Sequence, residues 1–422
     1  MSEYLFRFGQ LENLDHPLAR ISELGTRFQH TYIIGSTGTG KTSVMLRMAL
    51  YDIKQGLACI FIDPKGDHAR QLYALAPDKS RIIYFSYHNP SLVVNPLRKK
   101  GYRLNDLIDE FIEILDILIS CTSKSNPTAS ENMKEVMSEA IRALKEEDRN
   151  IDFLYEFLRY SEVRKTYLDK KPSPYWQELD RKGKGGGSSE EAQTAKRLSI
   201  RLSKFVQDER LKRVINGANQ LDIAEVARKG QVVIVDTSGM SLEKRVYITS
   251  LFSFAVKSYV EFQKQETYFP LMFYLDECWM GINESFEYLL KFGRSFKVGF
   301  TLAHQDISSF PSGKTLKSII SNCNTKIAMF PAGPEEARML ADVYGLNKKD
   351  FLELDRYQAW VRILNKNSLV KTFPPPGLLK FEAPPEFDEA ARASDGGYGQ
   401  SVPDEEPPRD SCDFLKDCWF SC

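Results

Sequence analysis

A mostly parallel, doubly wound α/β sheet interrupted by an all-helical subdomain is the fold this sequence predicts. Three observations carry it. Short apolar runs recur along the chain, amphipathic segments with helical spacing separate them, and between Arg103 and Lys229 the strand pattern gives way to helical periodicity alone.

The first run, Thr31-Tyr32-Ile33-Ile34, stops at Gly35-Ser36-Thr37-Gly38-Thr39-Gly40-Lys41-Thr42, and Ser43 leads into a helix-like segment through Leu50. That is a complete phosphate-binding loop in a strand-to-helix context. Its glycines let backbone N–H groups converge on phosphates, Lys41 reaches the β and γ oxygens, and the Thr42 hydroxyl is placed to ligate Mg2+ at a helix N-terminus. Gly35 through Ser43 are therefore the expected nucleotide contacts, with ATP and Mg2+ as cofactors.

The next run, Cys59-Ile60-Phe61-Ile62, ends in the charged turn Asp63-Pro64-Lys65-Gly66-Asp67, and a further run follows at Arg81–Phe85. Asp63 and Lys65 are expected near the nucleotide edge of the sheet, the bland alternative being a solvated turn. The helical stretch then shows spaced apolar residues, such as Leu107, Phe111, Leu115 and Leu118, then Met133, Met137, Ile141 and Leu144. Its Gly183–Ser189 tract is too glycine-rich for a packed element and is expected to be a mobile loop.

Strands resume at Val232–Val235, Met272–Leu275, Val298–Leu302 and Lys326–Phe330. A phosphate-loop ATPase needs a carboxylate at a strand end for the metal and a second to polarise water. Two strand ends compete. Asp236 is followed by Thr237-Ser238-Gly239, which supplies no base, whereas Asp276-Glu277 follows an apolar strand with adjacent carboxylates. This favours Asp276 for the metal and Glu277 as base. Arg294 is a candidate arginine finger supplied to a neighbouring subunit, since its planar charged fork suits transition-state phosphate. Gln305, at the end of the next strand, is a candidate γ-phosphate sensor. The plain readings are a surface arginine and a loop amide.

The boundaries expected are an N-terminal part of the ATPase domain at 1–103, the helical insertion at 104–229, the C-terminal part of the ATPase domain at 230–380, and a disordered, polar and acidic tail at 381–422. With 422 residues, 42% hydrophobic and 27% charged, the chain has a globular composition. Lys plus Arg and Asp plus Glu are each 57, so nucleic-acid binding has to come from local patches. Two stand out: Arg98-Lys99-Lys100 with Arg103, and Lys196, Arg197, Arg201 and Lys204; Arg181, Lys182 and Lys184 form a weaker third. No apolar run approaches a membrane span and no secretory signal opens the chain, so a cytoplasmic location is expected. The cysteines Cys59, Cys121, Cys278 and Cys323 have no metal-ligand spacing and read as reduced core thiols.

Taken in order, Asp63-Pro64-Lys65-Gly66-Asp67, Val94-Asn95-Pro96-Leu97, the helical insertion, Asp276-Glu277, Arg294 and Gln305 resemble the HerA/FtsK superfamily of ring-forming DNA motors. Within it they are most similar to the TraG-like coupling ATPases of conjugative type IV secretion. The resemblance implies a RecA-like P-loop NTPase domain and a homohexamer with ATP at subunit interfaces. It also implies Arg294 reaching the neighbour's γ-phosphate, Gln305 as sensor, and single- or double-stranded DNA threaded through the ring. Secretion-channel or relaxosome proteins would be partners. Coupling proteins of this kind usually carry N-terminal membrane helices, so a chain without an intrinsic span would be recruited to the inner face of the membrane by another protein. The competing expectations are a HerA-like DNA-processing or defence ATPase, a secretion-system assembly ATPase that moves protein, and a nucleotide-dependent scaffold without useful turnover.

Overall fold

The computed structural model describes residues 5–11, 20, 21, 23–90, 92–122, 129–182, 190–261, 268–282, 286–310 and 313–373. The Gly183–Ser189 tract and the 381–422 tail lie outside them, as do the side chains of Cys121, Arg181 and Lys182.

The strands are β1 Phe6–Arg7, β2 Gly9–Leu11, β3 Arg20–Ile21, β4 Thr31–Ile34, β5 Ala58–Asp63, β6 Ile82–Ser86, β7 Val232–Asp236, β8 Leu271–Leu275, β9 Val298–His304, β10 Thr325–Ala328, β11 Gln358–Ile363 and β12 Lys366–Thr372. Ten of them form one sheet in the order β2, β12, β11, β10, β4, β9, β8, β5, β7, β6. Neighbours from β10 through β6 run parallel. The remaining three, β11, β12 and β2, extend the sheet antiparallel beyond β10. Every residue of β4, β5, β7, β8 and β9 is buried, which is why these strands read as unbroken apolar runs.

Strand alternation feeds two cores. Ala58, Ile60 and Ile62 of β5 face one, with helix Leu242–Glu261 and the helical insertion; Cys59 and Phe61 face the other, with helices Lys41–Lys54 and Asp67–Leu75. The sheet is thus a middle layer, and helices cover both its faces.

Between β6 and β7 the described residues form helices and turns only, from Leu104–Thr122 to Ile223–Lys229. The insertion shares the first core, so its position over the sheet is fixed by burial. Asn95 closes its neck. Fully buried, it donates Nδ2–H to the carbonyls of Arg149 and Gly217 at 2.9 Å each, while its Oδ1 accepts from Leu97 N at 2.9 Å.

On the opposite core, Arg27 and Asp52 form a fully buried ion pair at 2.9 Å. The same guanidinium donates to Thr31, Tyr274 and Thr301 at 3.1, 2.8 and 3.3 Å, cross-linking β4, β8 and β9 from the end of β4 opposite the loop.

Candidate active site

Residues Gly35–Thr42 join the C-terminal end of β4 to helix Lys41–Lys54, so the loop sits where the parallel strands all end. Gly40 caps that helix at φ 112°, and a Cβ there would come within 2.7 Å of the Tyr357 ring, so only glycine fits. The loop is braced internally: Lys41 Nζ donates to Ser36 O at 2.9 Å and Thr39 Oγ1 to the same oxygen at 2.8 Å. It is also braced from outside. Ser36 N donates to Phe330 O at 2.7 Å, Tyr357 N to Thr39 O at 3.2 Å, and Arg356 Nε to Gly38 O at 3.1 Å. These partners lie some three hundred residues downstream, and no local pattern in the sequence announced them.

Burial pushes the Lys41 ammonium below the ordinary lysine range, an effect opposed by Asp276 and Glu277. Burial pushes the Asp276 carboxyl up, the Glu277 charge adds to this, and Lys41 opposes it. Such a cluster is poised for a strongly charged ligand, because phosphate and a divalent cation supply the charges it lacks. Thr42 Oγ1 donates to Asp276 Oδ2 at 3.3 Å, which brings a hydroxyl and a carboxylate oxygen to one point beside the loop. Hard oxygen donors in this small number fit Mg2+, which is commonly held by one or two protein oxygens plus phosphate and water.

Glu277 follows at the end of β8 with φ 50° and ψ 55°, a left-handed conformation that a non-glycine residue adopts at a cost of about 1–3 kcal/mol. Its Oε1 accepts from Gln305 Nε2, and Gln305 Oε1 in turn accepts from Thr37 Oγ1 at 2.6 Å. Its Oε2 accepts from Trp279 Nε1 at 3.2 Å. The glutamine therefore bridges the loop after β4 to the acid after β8. Gln305 is aimed from the turn after His304, whose Nδ1–H donates to Asp306 O at 3.1 Å while its Nε2 accepts from Tyr32 Oη at 2.6 Å.

Arg294 lies elsewhere. It sits in the short turn Gly293–Phe296 just before β9, exposed, whereas Gln305 follows the same strand. Ile34 pairs with His304, so the loop leaves the sheet level with the far end of β9. Seven residues of strand separate the two ends, roughly 20 Å at about 3.3 Å per residue. An arginine side chain does not span that distance, so Arg294 cannot reach the phosphate loop of its own chain.

One expected ligand has other work. The Asp63 carboxylate, fully buried, accepts from Lys65 N, His68 N and Ala69 N at 2.9, 2.8 and 3.0 Å, holding the turn before helix Asp67–Leu75. Lys65 is exposed, and its charge is felt at both Lys41 and Asp276. The rival Asp236 accepts from Ser238 N, Arg70 Nη1 and Tyr84 Oη at 2.9, 3.2 and 3.0 Å, and is a structural acid.

Of the basic clusters, Lys99 is buried and bonded to Glu110 and Ser258, which removes it as a nucleic-acid contact. Arg103 pairs with Asp106 at 2.9 Å. On helix Glu190–Val206, Leu198, Leu202 and Phe205 are buried, Lys196, Arg197 and Lys204 are exposed, and Arg201 is half-buried. Lys204 also pairs with Glu243 at 2.6 Å. Among the described residues no helix is long and apolar enough to cross a membrane. Cys59, Cys278 and Cys323 are buried free thiols.

Comparison with known proteins adds two family matches. The model of the HerA helicase central domain matches residues 25–256, and that of the TraM recognition site of TraD and TraG matches residues 270–357. The fold is similar to the bacterial conjugative coupling protein TrwBdeltaN70, with TM-score 0.65, 13% identity, 87% of this chain and 89% of that one covered. A structure of TrwB with ADP and Mg2+ gives TM-score 0.64 and 13% identity over 90% of this chain and 92% of that one. VirB4 of Thermoanaerobacter pseudethanolicus gives 0.59 and 14% over 87% and 96%. No curated protein sequence matches the chain.

Proposed function

We propose, from the premise that this chain belongs to the HerA helicase central-domain family, that it is an ATP-driven DNA translocase of the type IV secretion coupling kind, working as a ring. The observation that carries this reading is the placement of Gln305 and Arg294 at opposite ends of β9. One end serves the chain's own phosphate loop, and the other can serve only a second copy. The match of residues 270–357, which spans Asp276, Glu277, Arg294 and Gln305, to a TraD and TraG region supports the coupling kind over other family members.

In this reading Gly35–Ser43 hold the triphosphate, with Lys41 on the β and γ oxygens and Lys65 adding positive charge from the neighbouring turn. Thr42 and Asp276 hold Mg2+, which neutralises phosphate charge when bound. Glu277 accepts a proton from a water molecule as that water's oxygen bonds the γ-phosphorus and the bond to the bridging oxygen of the leaving ADP breaks, releasing phosphate. Gln305 senses the γ-phosphate because its amide already joins Thr37 to Glu277. Arg294 of the adjacent copy completes charge stabilisation. The exposed face with Lys196 and Arg197 is our candidate for sequence-independent phosphate contacts along DNA.

The coupling role also implies docking to secretion-channel or relaxosome proteins and recruitment to the inner face of the membrane. A second reading, an assembly ATPase that moves protein, draws on the VirB4-like fold. Steady-state ATPase rate measured against protein concentration, without DNA and with single-stranded or duplex DNA at two salt concentrations, separates them. A DNA motor gives cooperative, salt-sensitive stimulation. A rate indifferent to DNA at concentrations where the chain is assembled refutes the DNA reading and favours the second.

A further inference from the structure

Both oxygens of the Glu277 carboxylate carry an N–H donor, but the two donors face different futures. Gln305 is shared with Thr37 of the phosphate loop, and an arriving γ-phosphate, which only accepts hydrogen bonds, competes with Glu277 for its amide N–H. Trp279 supplies the donor to the other oxygen. It lies two residues on, in the short turn Cys278–Met280, half-buried and packed against the core, with Nε1–H directed to Oε2 at 3.2 Å. An indole has one donor and no acceptor, so this contact cannot invert, and its rigid ring has only two side-chain torsions to fix. The backbone makes the need plain. Glu277 sits in a left-handed conformation at the end of a buried strand, and Asp276 beside it is a like charge that tends to push the carboxylate away.

We propose that Trp279 is a positioning residue for hydrolysis, the indole N–H that holds the Glu277 carboxylate in place once Gln305 turns to the γ-phosphate. The inference rests on the reading of Glu277 as base. It assigns a role to a residue that neither the loop motif nor the strand-end acids identify, and it makes the aromatic ring part of the hydrolysis machinery rather than of the core alone.

The test uses the full chain. Trp279→Phe keeps the ring and removes the N–H, so kcat should fall about 10- to 100-fold, the scale of a misplaced reacting group, with KM and ADP affinity within twofold of wild type. Unchanged kcat in W279F would overturn the proposal. A second measurement holds even where W279F fails to fold. In 15N-tryptophan-labelled protein, the Glu277→Gln variant should shift one of the four indole N–H signals, because a carboxylate acceptor becomes a neutral amide. A superimposable indole spectrum would also overturn it. Wild-type turnover in Glu277→Gln sinks the base assignment instead, which separates the failure of that reading from the failure of this one.

Discussion

His30 and His304 are buried imidazoles whose two nitrogens are both engaged, and this fixes them as neutral. His30 Nε2–H donates to Leu290 O at 3.1 Å and its Nδ1 accepts from Phe300 N at 3.2 Å. Burial lowers each histidine from 6.5 to about 4. Because the unfolded chain binds protons first, the stability they contribute is complete above about pH 6.5 and is lost as pH falls toward 4, up to about 3 kcal/mol for each. Asp276, pushed up by burial, acts in the opposite sense, since its protonation favours the folded chain. We expect the thermal midpoint to drop steadily between pH 6.5 and 4; a midpoint that stays level over that range would contradict the assignment of both rings as neutral. At this scale the sequence was legible where chemistry and strand end coincide, as at Asp276-Glu277. It was not legible for the three backbone donors that claim the Asp63 carboxylate, nor for Lys99, whose partner Glu110 lies on the helix that follows it.

Among the elements, the helical insertion is held over the sheet by burial, and the Asn95 amide ties its neck. Asn95→Ala would leave the Arg149 and Gly217 carbonyls without that donor and would also release the buried Leu97 N. A loss of about 1–3 kcal/mol is expected, the cost of one unsatisfied buried group. The denaturant midpoint reads it directly, and a loss below about 0.5 kcal/mol would show that the neck is held by burial alone. The parallel strands were visible in the sequence because burial on both faces makes them continuous apolar runs. Strands β11 and β12 were not, since they are covered on one face only: in Gln358–Ile363, Ala359 and Val361 are buried while Gln358, Trp360 and Arg362 are half-buried. A search for period-two alternation would have found them. Those two strands matter to the site, because the segment leading into β11 carries Arg356 and Tyr357 against the phosphate loop.

For the whole molecule, the division of labour along β9 predicts complementation. Arg294→Ala should bind nucleotide with wild-type affinity and lose turnover, and mixing it with Lys41→Ala, whose own site is dead but whose arginine is intact, should restore part of the ATPase rate. Mixtures that demonstrably co-assemble yet stay inactive would make Arg294 a structural residue. The separation of roughly 20 Å between the two ends of the strand also limits how copies can meet. In a twofold dimer the same patch serves both partners, whereas a ring sets one face of each copy against the other face of the next. In the ring we propose, the contact is heterologous, front against back, so that each copy gives its arginine to one neighbour and receives one from the other. Under that proposal the array has a handedness of information: the strand that feels a subunit's own phosphate is the one that points the arginine into the next, and every message between sites travels around the circle in one sense.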